Sequence, residues 1–382
     1  MAAVSRRTFL GAAGAAGAGT VLGAPFASAA SGRSGSGREA GTTAYVGSYT
    51  STPPTGHGLD VVSRAGTDPA LSAVRTVADV PDASWFDRSS DGRTLYVTNE
   101  GDPDGTVSAL DLSDGASPKL LGATSSKGAA PTHLSVHSSQ QFVLAANYGS
   151  GSVVVLPVED GGKLGEATDL QQHTGTDREA HAHQVVNDPS GNWVLSVDLG
   201  ADSVYVYALD TATGKLSLHK QVTLPAGAGP RHLVFHPDGK HAYLAQELRP
   251  EITVAGWDAE TGTFTPLAVV PAVPAGSTGD LFPGEIAVSQ DGKFVYATVR
   301  GPNTIATFTV ADDGAGLTLA SSVDTGGDWP RHLALDSGEK WFYVANQRSG
   351  TVTWLPRDAT SGLPGKVAGS LAVPSVNSVF FA

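Results

Sequence analysis

The chain has 382 residues, among them 47 Gly and 23 Pro, with 40% hydrophobic and 16% charged positions, one Met and no Cys. So many turn-formers exclude a mainly helical protein, the apolar share excludes a disordered one, and the lack of Cys excludes disulfide scaffolds, thiol nucleophiles, zinc-cysteine sites and iron–sulfur clusters. A formal charge of −13 repels phosphate backbones, so nucleic acid is not an expected partner.

Residues 1–30 read as a targeting segment. Ser5-Arg6-Arg7-Thr8-Phe9-Leu10 resembles the twin-arginine export signal, an Ala/Gly-rich stretch runs on to Leu22, and Ala27-Ser28-Ala29-Ala30 offers the small residues a signal peptidase needs. Glycines at 11, 14, 17, 19 and 23 argue against an uncleaved helix. The expectation is a protein folded first, passed to the twin-arginine export machinery and located outside the cytoplasm. Residues 31–42 follow as a flexible linker, and no later stretch approaches the ~20 apolar residues of a membrane span.

From residue 43 onward one unit recurs six times. It begins near Ala83 (ASWFDRSSDGRTLYVTNE), Pro131 (PTHLSVHSSQQFVLAANY), Ala182 (AHQVVNDPSGNWVLSVDL), Pro230 (PRHLVFHPDGKHAYLAQE), Pro283 (PGEIAVSQDGKFVYATVR) and Pro330 (PRHLALDSGEKWFYVANQ). Each unit reads as an apolar strand, a turn rich in Pro, Asp, Ser and Gly, a second strand, a third such as Ser203–Tyr207, and a more polar fourth such as Lys215–Leu224. Four strands repeated about every fifty residues describe a propeller blade. Thr43–Tyr49, Gly58–Ser63 and Leu71–Ala78 supply second, third and fourth strands with no first, and Pro374–Phe381 reads as an orphan first strand. Joining them predicts a seventh blade shared by the termini. Residues 43–382 are therefore expected to form a single all-β domain, a seven-bladed propeller of four-stranded antiparallel blades.

In such a blade the start of strand one and the end of strand two lie at the same channel mouth. Strand one starts with Trp85, His133, His183-Gln184, Arg231-His232, Glu285 and Arg331-His332, and strand two ends with Asn99-Glu100, Asn147-Tyr148, Asp198, Gln246-Glu247, Arg300 and Asn346-Gln347. These columns vary in charge and type around the ring, as contacts to one ligand would. The glycines at 227 to 229 precede a strand rather than a helix and so lack a phosphate-cradling context, and no Gly-x-Ser-x-Gly elbow is present. His181 and His183 would share one strand face, but few carboxylates accompany them in that repeat, so no metal and no cofactor are expected.

The segments NYGSGSV (147–153), HAHQVV (181–186), DLGADSVYVY (198–207), GPRHLVFHPDGK (229–240) and QEL (246–248) resemble the seven-bladed lactonases. That family includes the propeller-type 6-phosphogluconolactonases and the fungal carboxy-muconate lactonizing enzyme. The resemblance spans essentially the whole mature chain. It implies active-site roles for a histidine, two arginines and a glutamate, which here fall on His183, Arg231, Glu247 and Arg300.

Elementary chemistry is compatible. Lactone hydrolysis needs a base, for which His183 or Glu247 is suited, and cationic donors where oxyanion charge develops, for which Arg231 and Arg300 are suited. His183 as base with Glu247 orienting Arg231 or His183 is the arrangement adopted, though the two roles can be exchanged. As a change outside the core, His183→Ala would stop turnover at a stability cost within about 1 kcal/mol. His133, Asn147, Asp198, His232, Arg331 and His332 are candidate substrate contacts. Each has an alternative: His232 and His332 repeat in Pro-Arg-His and can bond a neighbouring blade, and Asn147 and Asp198 can bridge blades or cap turns. His137, His236 and His241 are expected in solvated turns. The functional expectation is hydrolysis of a sugar-acid lactone. The alternatives are a non-catalytic propeller binding a sugar acid, peptide or cell-wall component, and a lactonizing isomerase acting on a muconate-like diacid.

Overall fold

The computed structural model describes residues 42–381. The expected signal, 1–30, and the expected linker, 31–42, lie outside the described residues except for Thr42, which pairs with Arg64 and begins the first strand.

The described residues form seven four-stranded antiparallel sheets. Blade 1 joins the first and last described strands, and blades 2 to 7 cover 83–125, 131–172, 182–223, 230–271, 282–324 and 330–372 in chain order. Within each of these six the strands run outward in sequence order. The inner strands are buried along their length, as in Phe142–Asn147, whereas outermost strands such as Leu71–Val77 and Lys215–Thr223 face solvent at most positions. That difference is why the fourth strand of each repeat reads as more polar.

Blade 1 closes the ring. Val376–Phe381 is its innermost strand and pairs antiparallel with Thr42–Ser48, with Val46 opposite Val379 and Ala44 opposite Phe381. Closure removes the strand edges that an open array would leave for aggregation. The first and last described strands are thereby held in one sheet.

Apolar side chains gather between blades, and a separate buried cluster fills each of the seven interfaces. The interface of blades 5 and 6, for example, packs Tyr243, Ile252 and Val254 against Ile286, Val295 and Phe308. A tyrosine in the second strand often adds a polar tie to the next blade's outer hairpin. Tyr45 donates to the Gly115 carbonyl at 3.0 Å, Tyr243 to Gly314 at 2.9 Å and Tyr296 to Gly362 at 3.1 Å. Across the closure Tyr343 donates to Pro69 at 2.9 Å. The recurring Tyr of the repeat is thus a blade-to-blade clamp.

Each first strand carries one extra residue near its start. Register slips between Ala83 and Trp85, Pro131 and His133, Ala182 and Gln184, Pro230 and His232, Pro283 and Ile286, and Pro330 and His332. In blade 1 the slip falls opposite Gly47 and Ser48. A β-bulge breaks the two-residue alternation, so consecutive side chains can be aimed to the same side. The bulges place two consecutive residues at equivalent points of the seven innermost strands: Ser84, Thr132, His183, Arg231, Gly284, Arg331 and Asn377, followed one residue later by Trp85, His133, Gln184, His232, Glu285, His332 and Ser378.

Candidate active site

The charged centre of the mouth is Glu247 between two arginines. Its Oε2 lies 3.2 Å from Arg231 Nε and 2.9 Å from Arg300 Nη2. All three residues are buried. Both guanidiniums also lean on the first strand of blade 6: Arg231 Nη1 donates to the Gly284 carbonyl at 2.7 Å, and Arg300 Nη2 donates to that of Pro283 at 2.8 Å. Gly284 allows Thr298 to pack closely against this strand, since a Cβ at that position would lie 2.6 Å from Thr298 Oγ1. Burial, and then Arg300, push the Arg231 pKa down to about 9, against the pull of Glu247 and Glu285. Arg231 therefore stays a cation at neutral pH.

The histidines adjoin this centre. His183 Nδ1 is 3.0 Å from His232 Nε2. On its other side His232 Nδ1 lies 3.2 Å from Arg231 Nη1 and 3.5 Å from Glu285 Oε2. Burial first, and Arg231 next, hold His133, His232 and His332 well below the usual histidine range, so these three are neutral. Burial drives Glu285 well above the usual carboxyl range despite the attraction of Arg231. His133 packs against Trp85 with ring centroids 3.7 Å apart, and His332 Nδ1 accepts from the Val379 amide at 3.3 Å, across the ring closure.

The structure brings His183, Arg231, Glu247 and Arg300 into one contiguous group, with His232 as the link between His183 and the arginines. Asn147 and Asp198 are engaged in scaffolding. Asn147 Nδ2 donates to the Ser126 carbonyl at 2.9 Å and Ser152 Oγ at 3.1 Å. Asp198 accepts from the amides of His181 at 2.8 Å and Ala201 at 2.7 Å, and pairs with His173 Nδ1 at 2.8 Å. Arg331 donates to Gln347 Oε1 at 3.3 Å, beside the Tyr49 ring.

Two expectations change. His183 is fully buried, so its replacement is a core change rather than a surface one. His137 is buried, with its Nδ1 2.9 Å from Ser139 Oγ, because its turn packs against the neighbouring blade. His236 and His241 are partly exposed. With Asp238 they bring ligating atoms within 4.8 Å of one another, at the end of the strands remote from the mouth. Asp238 caps that turn, accepting from the Lys240 amide at 2.7 Å.

Glu285 stands in the strand-one column, where the sequence assigns it no role. The same holds for the Tyr148–His181 stack, whose centroids are 4.5 Å apart, with Tyr148 edge-on to His183 at 5.6 Å. Tyr148, Arg178, Glu179, His181, Leu199 and Leu248 line a depression of about 380 Å³ beside this stack. The signal for both was adjacency: each lies one or two residues from a position already singled out.

A closed seven-bladed ring bearing a carboxylate-bridged arginine pair and linked histidines at one mouth defines a propeller with an enzyme-like polar centre. Residues 43–381 match the family described as "Lactonase, 7-bladed beta-propeller", and the chain belongs to that family. It is a lactone-hydrolysing enzyme. It is 32% identical over 339 residues to a Bacillus subtilis protein named 6-phosphogluconolactonase, covering 86% of this chain and 95% of that one. Among solved structures, a Lactobacillus plantarum protein superposes with a TM-score of 0.83 at 33% identity, over 90% of this chain and 100% of that one. The Pseudomonas aeruginosa periplasmic gluconolactonase superposes with a TM-score of 0.84 at 29% identity, over 90% and 99%. Among the described residues no helix is long and apolar enough to cross a membrane.

Proposed function

We propose that the protein hydrolyses the lactone of an aldonic acid outside the cytoplasm, at the mouth formed by His183, Arg231, Glu247 and Arg300. The observation that carries this reading is the Glu247 carboxylate shared by two buried guanidiniums beside a histidine pair. Glu247 fixes the directions of Arg231 and Arg300, so their donors are preorganised for charge that develops on the lactone carbonyl oxygen. His183 takes a proton from the attacking water. The new C–O bond forms at the carbonyl carbon, the ring C–O bond breaks, and the proton returns to the departing ring oxygen as an alcohol. His133, His232, Arg331 and His332 border the sugar-binding space.

Export is supported by the twin-arginine-like Ser5–Leu10 segment and by the likeness to a protein described as a periplasmic gluconolactonase. An exported enzyme meets unphosphorylated sugar lactones, so glucono-lactone rather than its 6-phosphate is the proposed substrate type. The test is a panel of aldonolactones with and without 6-phosphate, read as hydrolysis above the spontaneous rate, with His183→Gln as control. Saturable turnover that His183→Gln abolishes is the expected result. Full turnover by the variant would remove His183 from the mechanism.

A further inference from the structure

Beside His183 lies a depression to which the hydrolytic reading above gives no occupant. It holds about 380 Å³ and is lined by Tyr148, Arg178, Glu179, His181, Leu199 and Leu248. Tyr148, Leu199 and Leu248 each follow the end of a second strand, at Asn147, Asp198 and Gln246, and His181 immediately precedes the first strand Ala182–Asn187. Second-strand ends and first-strand starts share one end of the blades, so the depression and the charged centre open on the same side of the ring. Tyr148 stands between them, with its ring edge-on to His183 at 5.6 Å and stacked on His181 at 4.5 Å.

His181 is held from several directions. Its amide donates to Asp198 Oδ1 at 2.8 Å, and its carbonyl accepts from the Leu199 amide at 2.9 Å. Asp198 is itself fixed, because its Oδ2 lies 2.8 Å from His173 Nδ1, and His173 Nε2 lies 2.9 Å from the Tyr207 hydroxyl. Tyr148 fixes the His181 ring through the stack and through its carbonyl oxygen, 2.9 Å from Nδ1. A carbonyl can only accept, so Nδ1 carries the proton. In the neutral ring Nε2 is then an acceptor, and it has no hydrogen-bond partner among the described residues. This acceptor is ordered before any ligand arrives, which lowers the entropic cost of using it.

The charges of the lining say which donor suits it. Arg178 is the one cation among the lining residues, and its Nη2 is committed to Asp202 Oδ1 at 2.6 Å and to the Leu199 carbonyl at 3.1 Å. Glu179 is exposed and has no ion-pair partner among the described residues, so its carboxylate leaves the lining with an excess of negative charge. A neutral acceptor beside a carboxylate suits a hydroxyl and disfavours a phosphate.

We propose that this depression is the subsite for the hydroxymethyl end of the lactone, and that His181 is a substrate-binding residue whose Nε2 accepts from the terminal hydroxyl. The inference rests on the reading of the mouth as the site of aldonolactone hydrolysis with His183 as the proton-transfer group. In that reading His183 returns a proton to the departing ring oxygen and so faces it. In a six-membered aldonolactone that oxygen joins the carbonyl carbon to the carbon bearing the hydroxymethyl group. Beyond the reacting bond, the hydroxymethyl group is therefore the part of the substrate nearest His183, and Tyr148 and His181 flank His183 there. The remaining ring hydroxyls lie on the opposite side of the lactone from the ring oxygen.

Three six-membered lactones test this on the full-length protein: glucono-lactone, xylono-lactone, which lacks only the hydroxymethyl group, and glucono-lactone 6-phosphate. Wild-type kcat/KM should fall about tenfold from glucono- to xylono-lactone, the scale of one lost hydrogen bond, and should be lower for the 6-phosphate than for glucono-lactone. His181→Phe keeps an aromatic ring on Tyr148 and removes the acceptor. It should raise KM for glucono-lactone about tenfold with kcat within about twofold, and leave kcat/KM for xylono-lactone within about twofold. A merely structural role would lower both lactones alike, because Tyr148 and His183 serve both. Equal losses on the two lactones, or no loss on glucono-lactone, overturn the subsite. If His181→Phe does not fold, Glu179→Lys at its exposed position decides: kcat/KM for the 6-phosphate relative to glucono-lactone should rise at least about tenfold, and an unchanged ratio overturns the subsite. A wild type that prefers the 6-phosphate also overturns it and makes Arg178 the partner of the phosphate. A wild type that opens no lactone overturns the functional reading, whereas an active wild type in which His181→Phe acts equally on both sugars overturns the subsite alone.

Discussion

Replacing Glu247 should be costly because one carboxylate serves two cations. Its Oε2 lies 3.2 Å from Arg231 and 2.9 Å from Arg300, and all three groups are buried. At an effective dielectric of about 20, each contact near 3 Å carries on the order of 5 kcal/mol of attraction, much of it offset by desolvation. Glu247→Gln removes both attractions and leaves two guanidiniums facing each other, so a net loss of about 3–5 kcal/mol is expected, as for a broken buried pair. Adding Arg300→Met to Glu247→Gln removes the repulsion between the two guanidiniums. The double variant should therefore recover at least about 1 kcal/mol relative to the sum of the single changes. Urea unfolding of the four proteins in the cycle measures this directly. A Glu247→Gln protein within 1 kcal/mol of wild type, or strictly additive changes, would refute the view of Glu247 as the anion that holds both arginines.

Other consequences follow from single contacts. Tyr243→Phe loses the 2.9 Å bond to the Gly314 carbonyl and should cost about 1 kcal/mol in urea unfolding with kcat unaltered. Gly301 has φ +100 and directly follows Arg300, and an added Cβ would strike the Asp280 carbonyl oxygen, so Gly301→Ala should misdirect Arg300 and lower kcat/KM at least about tenfold. Deleting residues 376–382 removes the innermost strand of blade 1, and no soluble monomer with a cooperative melt should result. Below about pH 6.5 the unfolded chain protonates four histidines that the fold keeps neutral, His133, His137, His232 and His332. Stability from these is present above their unfolded pKa and lost as pH falls. Asp87, raised to about 6, and Glu285 and Glu339, also raised, act in the opposite sense, because the fold holds their protons while the unfolded carboxylates are still ionised. The four histidines outnumber the three carboxyls, so stability should fall as pH drops from about 6.5 towards 5, and a profile that rises there would contradict the burial of these histidines.

The architecture was legible because every blade solves the same packing problem with the same residue types. Tyr in strand two, a left-handed turn residue such as Gly239 or Gly292, and a polar outer strand recur at matching places, and the termini fit as one divided copy. The mouth was legible for a related reason. The paired residues Arg231-His232, Arg331-His332 and His183-Gln184 break strand alternation, and the bulges explain how both members of a pair can serve the channel. Glu285 escaped a role because Pro283-Gly284-Glu285 replaces the Pro-Arg-His of its neighbours, so its equivalence to His232 becomes plain only when the blades stand side by side. The scaffolding duties of Asn147 and Asp198 depend on Ser126 and His173, loop residues just past outer strands that no repeat pattern links to them. The burial of His183 likewise follows from the blades on either side and not from its own strand.

The account stands most directly on one rate. The purified protein, given glucono-lactone at neutral pH, should accelerate ring opening saturably over the spontaneous reaction, and Arg300→Ala should reduce that acceleration by at least about a hundredfold, the scale of losing one preorganised oxyanion donor. Hydrolysis no faster than in buffer across the aldonolactone panel, or an Arg300→Ala protein as fast as wild type, would contradict it.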